Sequence, residues 1–349
     1  MSLPSPSMSP PTFATFHDAY LAVLRQVLTQ PQYTTSSRGN RSSELLNVSF
    51  TLSDPRNRTP YLAARKANIV FNYAEALWYL AGRDDLDMIA YYAPGLRDLS
   101  SDGVHLTGTA YGPRLFAPPG ASQWDRVIEL LSRDRDSKRA VMPIMRVGEL
   151  TDLANPDVAC TLALQFVIRE DRLHTIAFMR GNDVMLGLLC DVFSFTLIAE
   201  YTAVTLGVEL GTYTHHASSM HLNDPDVPRA TAILAEAAEA VTPAAPPPQP
   251  MPSDTTRQTL ERVLGWEQQL RLNQRPLDLT VSDAAQLGPY WQQVLVLLET
   301  YRQIVHTPHA PIAPATLAAL SDPHRWLVAC RWPNRLPQTA AATAGASPW

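Results

Sequence analysis

A β-hairpin pattern within residues 156–191 constrains the fold of this chain more than any other feature of the sequence. Residues 161–168 alternate with the period of a β-strand, and residues 173–180 resume a strand pattern after a polar break of hairpin-loop length. One face of the first strand would carry Leu162, Leu164, Phe166 and Ile168. The sequence therefore predicts two antiparallel strands joined by a tight turn.

The open end of this hairpin holds a cysteine and an arginine. A turn centred on Glu170-Asp171 would set Cys160 opposite Gly181 and beside Arg180. A guanidinium next to a thiol stabilises the thiolate, which is the nucleophilic form. The simpler alternative is that Cys160 is a small buried hydrophobe at the start of a strand. Spacing alone leaves both interpretations open.

Composition narrows the class of protein. The 349 residues are 46% hydrophobic, which suffices for one large core or two modest ones. A net charge of -5 argues against a protein that coats nucleic acid, so each arginine is judged by its local setting. Three cysteines are too few for a disulfide scaffold and favour a reducing compartment, so we expect a cytoplasmic protein.

Two segments could be mistaken for targeting or membrane signals. Residues 1–12 lack a basic region followed by an apolar one, and they are predicted to be a disordered tail. Residues 184–206 are long and apolar enough to suggest a membrane span, yet they include Asp191 and Glu200. We therefore predict a buried core helix, and neither a membrane nor a nucleic acid as partner.

Other patterns outline the rest of the chain. Predicted helices cover about 13–30, 71–80 (ended by Gly82), 254–273, 282–304 and 322–332, and a predicted strand covers 45–52. Residues 242–253 are rich in proline and can form neither a helix nor a central strand. The predicted organisation is a tail 1–12, a catalytic domain 13–241, a connector 242–253, a helical part of the same fold 254–335 and a tail 336–349.

The residues around the hairpin resemble the thymidylate synthase family, over about 38–223. The family pattern is matched by Gln165-Phe166, Arg180, Asp183 and Leu186-Gly187, followed by a long apolar helix. Cys160 falls on the family nucleophile. The resemblance implies an α/β fold, with a mixed β-sheet packed by helices, in a homodimer. It also implies one-carbon transfer from 5,10-methylenetetrahydrofolate to a pyrimidine nucleotide, without a metal.

The same resemblance implies which residues bind the nucleotide. Phosphate would be held by Arg180, by Arg38 (with Arg41 as a rival) and, across the dimer interface, by the partner's copies of Lys138 and Arg139. On sequence alone, a solvated loop is the better explanation for the segment around Arg38. Tyr111 would lie at the mouth of the site near the pyrimidine, and His221 and Asn223 at the sugar.

Three of these positions depart from the family pattern. Lys138 replaces an arginine and loses a bidentate fork, Gly181 replaces a phosphate-binding serine, and Asn223 replaces a sugar-contacting tyrosine. Two of the changes remove side-chain volume near the sugar, which would admit a 2′-hydroxyl. The departures therefore favour CMP over dCMP as the substrate.

Glu75 lies beside the apolar stripe of the predicted helix 71–80. It would either face water, as most helical acids do, or be partly buried, with a pKa raised toward neutrality. The resemblance implies the second, with Glu75 passing protons through an ordered water. It also implies that Asp183 holds the pterin and that Gly187 lets the folate approach the backbone. The histidine group His215, His216 and His221 matches no zinc spacing, so we expect no metal.

Asp191 decides the chemistry. It lies 31 positions after Cys160, where the family has an asparagine that reads the uracil edge. A carboxyl group suits cytosine instead, because one oxygen accepts from N4 and a proton is shared between the other oxygen and N3. Asp191 as a simple helix cap is the alternative, but the helix pattern begins upstream of it.

An aspartate at this position is typical of the cytidylate hydroxymethylase branch, found in nucleoside-antibiotic synthesis and modified phage DNA. In that reaction Cys160 adds to C6 of cytosine, and Glu75 positions the water that completes the hydroxymethyl group. The alternatives are a thymidylate synthase acting on dUMP and a non-catalytic nucleotide-binding relative. Retention of Cys160, Arg180, Glu75 and Asp183 together argues against the second.

Overall fold

A computed structural model describes residues 8–37, 39–239, 247–280 and 283–337. The strands are β1 (Thr12–Phe13), β2 (Tyr33–Ser37), β3 (Asn40–Leu52), β4 (Val141–Pro143), β5 (Thr161–Arg169), β6 (Arg172–Met179), β7 (Asn182–Asp183) and β8 (Glu209–Asn223). The helices are α1 (Phe16–Thr29), α2 (Ile69–Leu80), α3 (Leu86–Tyr92), α4 (Gly112–Leu115), α5 (Gln123–Arg133), α6 (Gly187–Leu206), α7 (Val227–Glu239), α8 (Arg257–Arg271), α9 (Pro289–His306), α10 (Pro314–Ala319) and α11 (Asp322–Arg331). Helix α2 is followed by Gly82 at a φ of 66°, the left-handed conformation expected of its stop signal.

These strands form one mixed sheet in the order β1-β3-β8-β6-β5-β4, with β2 added to β3 and β7 added to β8. Strands β6 and β8 run parallel, because α6 carries the chain from one end of the sheet back to the other between them. The hairpins β2–β3 and β5–β6 are antiparallel. The α/β fold with a mixed sheet packed by helices is confirmed.

The β5–β6 hairpin forms with the predicted turn. Glu170 and Asp171 have φ of 51° and 56°, the left-handed values that a two-residue hairpin turn requires. Pairing follows the predicted register from Arg169 opposite Arg172 to Ala163 opposite Phe178. The turn residues alone therefore fixed the register over most of the hairpin.

A β-bulge near Cys160 corrects the prediction at the open end. The register shifts by one residue between Thr161 and Ala163, so Cys160 pairs with Arg180 and not with Gly181; the Arg180 amide donates to the Cys160 carbonyl at 2.8 Å. The extra residue also turns Leu162 outward, where it is 37% exposed, and Thr161 inward. The predicted apolar face is therefore wrong at Leu162, and right at Leu164, Phe166 and Ile168, which are buried.

Helix α6 is the central helix of the fold. It packs against β6 and β8 on one side and against α2 and α5 on the others, which explains its nearly uniform apolar character. Among the described residues it is the helix long and apolar enough to cross a membrane, and 78% of that apolar window is buried inside the protein. The prediction that residues 184–206 form a buried core helix agrees with this packing.

Within the described residues, helices cover only one face of the sheet. Helix α1 packs on β3 and β8, while α6 packs on β6 and β8. On the opposite face, the cross-strand row Gln165, Ile176, Thr214 and Thr51 is only partly buried, as is the neighbouring row Ala163, Phe178, His216 and Ser49. The sheet thus presents a mixed apolar and polar surface that no helix of the described chain covers.

The three helices predicted after the connector are present as α8, α9 and α11, and they pack against α2 and share one hydrophobic core with the sheet. Helix α9 begins at Pro289 rather than near 282, and the six-residue α10 was not predicted, because it is shorter than the pattern of an amphipathic helix. Residues 247–253 contain no helix or strand, as predicted; residues 242–246 of the connector lie outside the described residues. At the other end, order begins before residue 13, since the Pro11 carbonyl accepts from the Thr51 amide at 2.9 Å.

The buried ion pair between Glu200 and Arg58 gives the first prediction. Glu200 also accepts from the Met251 amide at 2.8 Å, and so joins α6 to the end of the connector. Glu200→Ala leaves a guanidinium buried without its partner, and should lower the free energy of unfolding by about 3–5 kcal/mol in urea titrations. Arg126→Ala is the control, because this exposed arginine pairs with Glu129 and should cost less than about 1 kcal/mol. Equal effects of the two changes would contradict the role of the buried pair.

Candidate functional site

The thiol of Cys160 lies next to the guanidinium of Arg180 at the open end of the hairpin. The distance from Arg180 Nη2 to Cys160 Sγ is 3.7 Å. The same guanidinium donates to the carbonyls of Val158 and Ala159, at 2.9 and 2.8 Å. These backbone contacts hold the positive charge beside the thiol, and the thiol is only partly buried. The geometry is that of an activated, accessible nucleophile.

Strand β7 brings Asp183 beside the end of β8. Asp183 pairs with His221 in parallel register. Its Oδ1 accepts from the amides of Met185 and Leu186, at 2.6 and 3.0 Å, and its Oδ2 accepts from Asn223 Nδ2 at 2.6 Å. Asp183, His221 and Asn223, each predicted to bind a ligand, therefore lie together. Asn223 is already bonded to Asp183, a contact that the sequence did not indicate.

The β2–β3 hairpin carries both arginines that are candidates for phosphate binding, Arg38 and Arg41. Arg38 lies outside the described residues, so its role stays a prediction. Arg41 is exposed and lies 3.7 Å from the carboxylate of Asp224. That acidic partner already offsets part of the charge that Arg41 would offer to a phosphate.

Glu75 is buried in α2, and the alternative that it faces water is wrong. The residue is 6% exposed, and its carboxyl accepts from Ser194 Oγ at 3.2 Å. Burial and, next, the nearby Asp191 carboxyl raise the pKa of Glu75 to about 8, against the effect of hydrogen bonds from Ser194 and Tyr79. Glu75 can therefore hold a proton at neutral pH and give it up to a reacting group.

Asp191 is buried in the first turns of α6. It is the fifth residue of the helix and 8% exposed, so it does not cap the helix. Burial raises the pKa of Asp191 to about 7, against the effect of a hydrogen bond from Asn182. A carboxyl with this pKa exchanges a proton readily with a bound base at neutral pH.

The structure reveals a polar chain behind Asp191 that the sequence analysis missed. Asn182 Nδ2 donates to Asp191 Oδ2 at 2.8 Å, His215 Nε2 lies 3.1 Å from Asn182 Oδ1, and Tyr213 Oη lies 2.9 Å from His215 Nδ1. All four side chains are buried. The alternation of side chains along β8 could have indicated this chain, because His215 lies on the same strand face as the apolar Tyr213 and Ala217. A histidine on a buried strand face needs polar partners.

Tyr111 lies inside the site rather than at its mouth. It is 4% exposed, and its ring stacks on Tyr79 with 5.1 Å between centroids. Burial raises the pKa of Tyr111 well above its usual value, and the next largest causes are the nearby Asp191 carboxyl and Cys160 thiol. Tyr111 therefore faces the space between the nucleophile and the carboxyl, as its predicted role near the pyrimidine requires.

Two glycines shape the site. A side chain at Gly181 would meet little, since a Cβ there lies 4.0 Å from its nearest neighbour, the Ser219 carbonyl. A Cβ at Gly187 would lie 3.0 Å from Asn182 Nδ2 and 3.5 Å from Asp191 Oδ2. Gly181 thus leaves open volume beside Arg180, and Gly187 leaves the room that the Asn182–Asp191 contact occupies.

Lys138 and Arg139 lie away from the Cys160 site of their own chain. Both are exposed, and the Arg139 side chain lies 3.9 Å from Asp134. Gln165 Nε2 donates to the Lys138 carbonyl at 3.0 Å, so these cations flank the open sheet face. Gln165 follows Cys160 by five residues, which is roughly 17 Å of strand. Their predicted role at the nucleotide phosphate of a partner chain stays a prediction.

The histidines do not converge. His215 points into the core, the adjacent His216 lies on the opposite face of β8, and His221 lies six residues farther along the strand from His215. Within the part of the chain that the structure describes, no group of three or more His, Cys, Asp or Glu side chains could hold a metal ion.

Comparison with known proteins places these residues in a family. The thymidylate synthase family model matches residues 18–246. The chain is 31% identical over 217 residues to the deoxyuridylate hydroxymethyltransferase of Bacillus phage SP01, covering 58% of this chain and 56% of the relative. It is 30% identical over 196 residues to the deoxyuridylate hydroxymethyltransferase of Delftia phage PhiW-14, covering 53% of this chain and 54% of the relative. It is 29% identical over 178 residues to the thymidylate synthase of Symbiobacterium thermophilum, covering 47% and 62%. The chain spans about half the length of the two phage relatives.

The expected difference in thiol reactivity between Cys160 and the other two cysteines can be measured. Burial raises the pKa of Cys190 well above its usual value and that of Cys330 to about 11, whereas Cys160 lies against a guanidinium. Iodoacetamide at pH 7.5 should therefore alkylate Cys160 at least about tenfold faster than the other two, as read by peptide mass mapping. Arg180→Met should slow the reaction at Cys160 and leave Cys190 and Cys330 unchanged. Equal reactivity of all three cysteines would contradict the assignment of the nucleophile.

Proposed function

The chain belongs to the thymidylate synthase family, and from that membership we propose that it is a cytidylate 5-hydroxymethylase. The overall reaction combines CMP or dCMP, 5,10-methylenetetrahydrofolate and water, and yields the 5-hydroxymethyl nucleotide and tetrahydrofolate. The observation that carries the proposal is the buried Asp191 carboxyl, with its near-neutral pKa, where the family has a base-reading asparagine.

Asp191 supports cytosine over uracil through its hydrogen-bonding capacity. Cytosine offers a donor at N4 and an acceptor at N3. A carboxyl group that holds one proton matches both, with one oxygen accepting from N4 and the other sharing its proton with N3. Uracil offers the reverse pattern, and an ionised carboxylate would face its O4 with no proton between them. An unmatched buried polar pair of this kind costs about 1–3 kcal/mol or more.

Cys160 and Arg180 support the first chemical step. The thiolate adds to C6 of the cytosine ring, and the electron pair of the C5–C6 double bond moves toward C5. The proton that Asp191 shares with N3 keeps the ring neutral as this happens. The Arg180 guanidinium, 3.7 Å from the sulfur, stabilises the thiolate before the attack.

Glu75 supports the step that separates a hydroxymethyl from a methyl product. The folate supplies a one-carbon unit at the oxidation level of formaldehyde. C5 attacks this one-carbon unit, and loss of the C5 proton and of tetrahydrofolate leaves an exocyclic methylene. Water adds to the methylene, and the C6–S bond to Cys160 then breaks to release the product. Glu75 is buried beside Ser194, and its pKa of about 8 lets it exchange a proton near neutral pH. In its ionised form it can orient this water and accept a proton from it. Two of the relatives are named for hydroxymethyl transfer, which agrees with this outcome.

The entrance to α6 fits a folate. Leu186 is 62% exposed although it is a large apolar residue, and it lies between Asp183 and Gly187. An exposed apolar side chain at this point would cover the flat ring of a bound pterin. Asp183 keeps lone pairs beyond the three hydrogen bonds that it accepts, so it can still accept from a pterin N–H.

A homodimer is part of the proposal. The sheet face bearing Gln165, Ile176 and Phe178 is uncovered by helices and only partly buried, and Lys138 and Arg139 flank it. Two copies that pack through this face would bury it and carry the two cations toward the partner's nucleotide phosphate. Lysine in place of a second arginine keeps the charge there and gives up one bidentate contact.

One assay tests the proposed function. CMP, dCMP and dUMP are each incubated with 5,10-methylenetetrahydrofolate, and the mass of the product is read by liquid chromatography and mass spectrometry. We expect a 5-hydroxymethyl product from a cytidine nucleotide. A methyl product from dUMP would instead identify a thymidylate synthase, the alternative that the relative from Symbiobacterium thermophilum favours. Absence of any product while nucleotides bind would identify a non-catalytic relative.

Asp191→Asn should reverse the base preference. Unlike the carboxyl, the amide cannot transfer a proton to N3 of cytosine, and with its oxygen toward N3–H and its nitrogen toward O4 it matches uracil. We expect cytidylate turnover to fall by at least about a hundredfold, and uridylate binding or C5 hydrogen exchange to appear. Asp191→Glu is the matched control, because it keeps the carboxyl and should not gain uridylate. An unchanged base preference would mean that the base is read elsewhere.

Glu75→Ala should affect the late step more than the early one. The early steps are measured by tritium release from C5 of labelled CMP, and the late step by formation of the hydroxymethyl product. We expect product formation to fall at least about tenfold more than tritium release, because Glu75 serves the added water. Ser194→Ala is the milder companion, since it removes one hydrogen bond to Glu75. Equal loss of both signals would place Glu75 earlier in the reaction.

The open volume at Gly181 predicts the choice of sugar. A ribose 2′-hydroxyl needs space, and Gly181 leaves it beside Arg180. We expect kcat/KM to be higher for CMP than for dCMP, by about ten- to a hundredfold. Gly181→Ser should reduce this ratio by filling the volume. A clear advantage for dCMP in the unmodified protein would contradict this prediction and leave the hydroxymethylase proposal standing.

A further inference from the structure

The polar chain behind Asp191 is not needed to explain the fold, because β8 could carry apolar residues at the same positions. His215 is completely buried, and its ring stacks on Phe50 with 5.3 Å between centroids. A polar ring at such a position costs stability unless both nitrogens are hydrogen-bonded. Here Nε2 faces Asn182 and Nδ1 faces Tyr213. The chain therefore has a definite arrangement that ends on Asp191.

The direction of the hydrogen bonds follows from the chemistry of the groups. Burial lowers the pKa of His215 to about 3, so the ring is neutral and carries a single N–H. If Asn182 Oδ1 faces His215, that N–H is at Nε2, and Nδ1 accepts from the Tyr213 hydroxyl. The Asn182 amide then donates to Asp191 Oδ2. The reverse amide orientation would set Asn182 Oδ1 against the Asp191 carboxylate.

We propose that Asn182, His215 and Tyr213 form a positioning device that makes Asp191 Oδ2 the hydrogen-bond acceptor and leaves the shared proton to Oδ1, so that the site presents an acceptor for N4 and a proton for N3 of cytosine. The proposal rests on the proposed function, since it states how Asp191 distinguishes the bases. Without the donor, the proton can reside on either oxygen, and the protonated carboxyl can match uracil as well as cytosine.

Gly187 gives independent support from geometry. A Cβ at this position would lie 3.0 Å from the donating nitrogen of Asn182. A side chain there would require the amide to shift by a few tenths of an ångström. The glycine at the start of α6 therefore leaves room for the Asn182–Asp191 contact, in addition to any role toward a ligand.

The test measures base discrimination by binding alone. Isothermal titration calorimetry on the full chain gives the dissociation constants of CMP and UMP, which share one sugar. In Asn182→Ala the ratio that favours CMP should fall by about two- to tenfold, because one hydrogen bond to Asp191 is lost. His215→Phe keeps the stacked aromatic ring and should give a smaller loss, and Tyr213→Phe the smallest. His215→Gln supplies an amide N–H in place of Nε2 and should restore part of the ratio.

A matched control distinguishes loss of the positioning role from a general disturbance of the fold. Thr175→Val alters a completely buried side chain on the neighbouring strand, opposite Tyr213, and should leave the CMP to UMP ratio unchanged. Unfolding in urea identifies any variant that fails to fold. If a more drastic variant does not fold, the conservative Tyr213→Phe still gives a CMP to UMP ratio to compare with that of the unmodified protein. If the ratio stays unchanged in Asn182→Ala, His215→Phe and Tyr213→Phe, the positioning role is overturned.

The pH dependence of CMP binding gives a second readout. The Asn182 donor favours the ionised form of Asp191, so Asn182→Ala should raise the pKa of Asp191 and extend CMP binding to higher pH. The groups that face Asp191 are Glu75 and Tyr79 on α2, Tyr111 before α4, Cys190 on α6 and Tyr213 on β8. The tyrosines and Cys190 stay neutral in this range, because burial raises each pKa. Glu75 titrates near pH 8, so both proteins carry Glu75→Gln. If CMP binding weakens at the same alkaline pH with and without Asn182→Ala, the proposal is contradicted.

The proposed function and this inference fail in different ways. A wild-type protein that binds UMP better than CMP would overturn the choice of cytosine. A graded change of the ratio across the three variants would still assign base discrimination to the chain of Asn182, His215 and Tyr213. A wild-type protein that prefers CMP, with the same ratio in every variant, would keep the proposed function and remove the positioning device.

Discussion

The site depends on the cost of burying carboxyl groups in an apolar core. Asp191 and Glu75 lie on two packed helices, α6 and α2, with little exposure to water, and burial raises the pKa of each toward neutrality. A buried carboxyl is tolerated when it is hydrogen-bonded or protonated; these two are hydrogen-bonded, and their raised pKa values let each hold a proton near neutral pH. The same physical constraint supplies two groups that can hold and release protons at neutral pH, beside a partly exposed thiol.

The fold delivers these groups from separate elements. The bulge at the start of β5 pairs Cys160 with Arg180, the short strand β7 places Asn182 against the first turns of α6, and β8 supplies His215 and its partner Tyr213. Each of these features is local: the bulge adds one residue, β7 has two residues, and Gly187 leaves room for the Asn182–Asp191 contact. Together they fix a carboxyl that we propose reads the amino edge of cytosine.

Sequence reasoning succeeded where a local pattern had one physical solution. Glu170-Asp171 fixed the hairpin, and the apolar run of α6 marked a core helix, because both signals lie within one element. It failed at Leu162 and at the partner of Cys160, since a one-residue bulge leaves no mark on an alternating pattern. It also missed Asn182 and Tyr213, whose importance comes from contacts between β7, β8 and α6. Such long-range contacts are not visible in the spacing of residues along a chain.

The most direct test of the central claim is a crystal structure of the Cys160→Ala variant with CMP bound. We expect one Asp191 oxygen within about 3 Å of N4 and the other within about 3 Å of N3, with Asn182 still donating to Oδ2. An Asp191 side chain turned away from the base, or a base whose N3–N4 edge is read by other residues, would contradict the account.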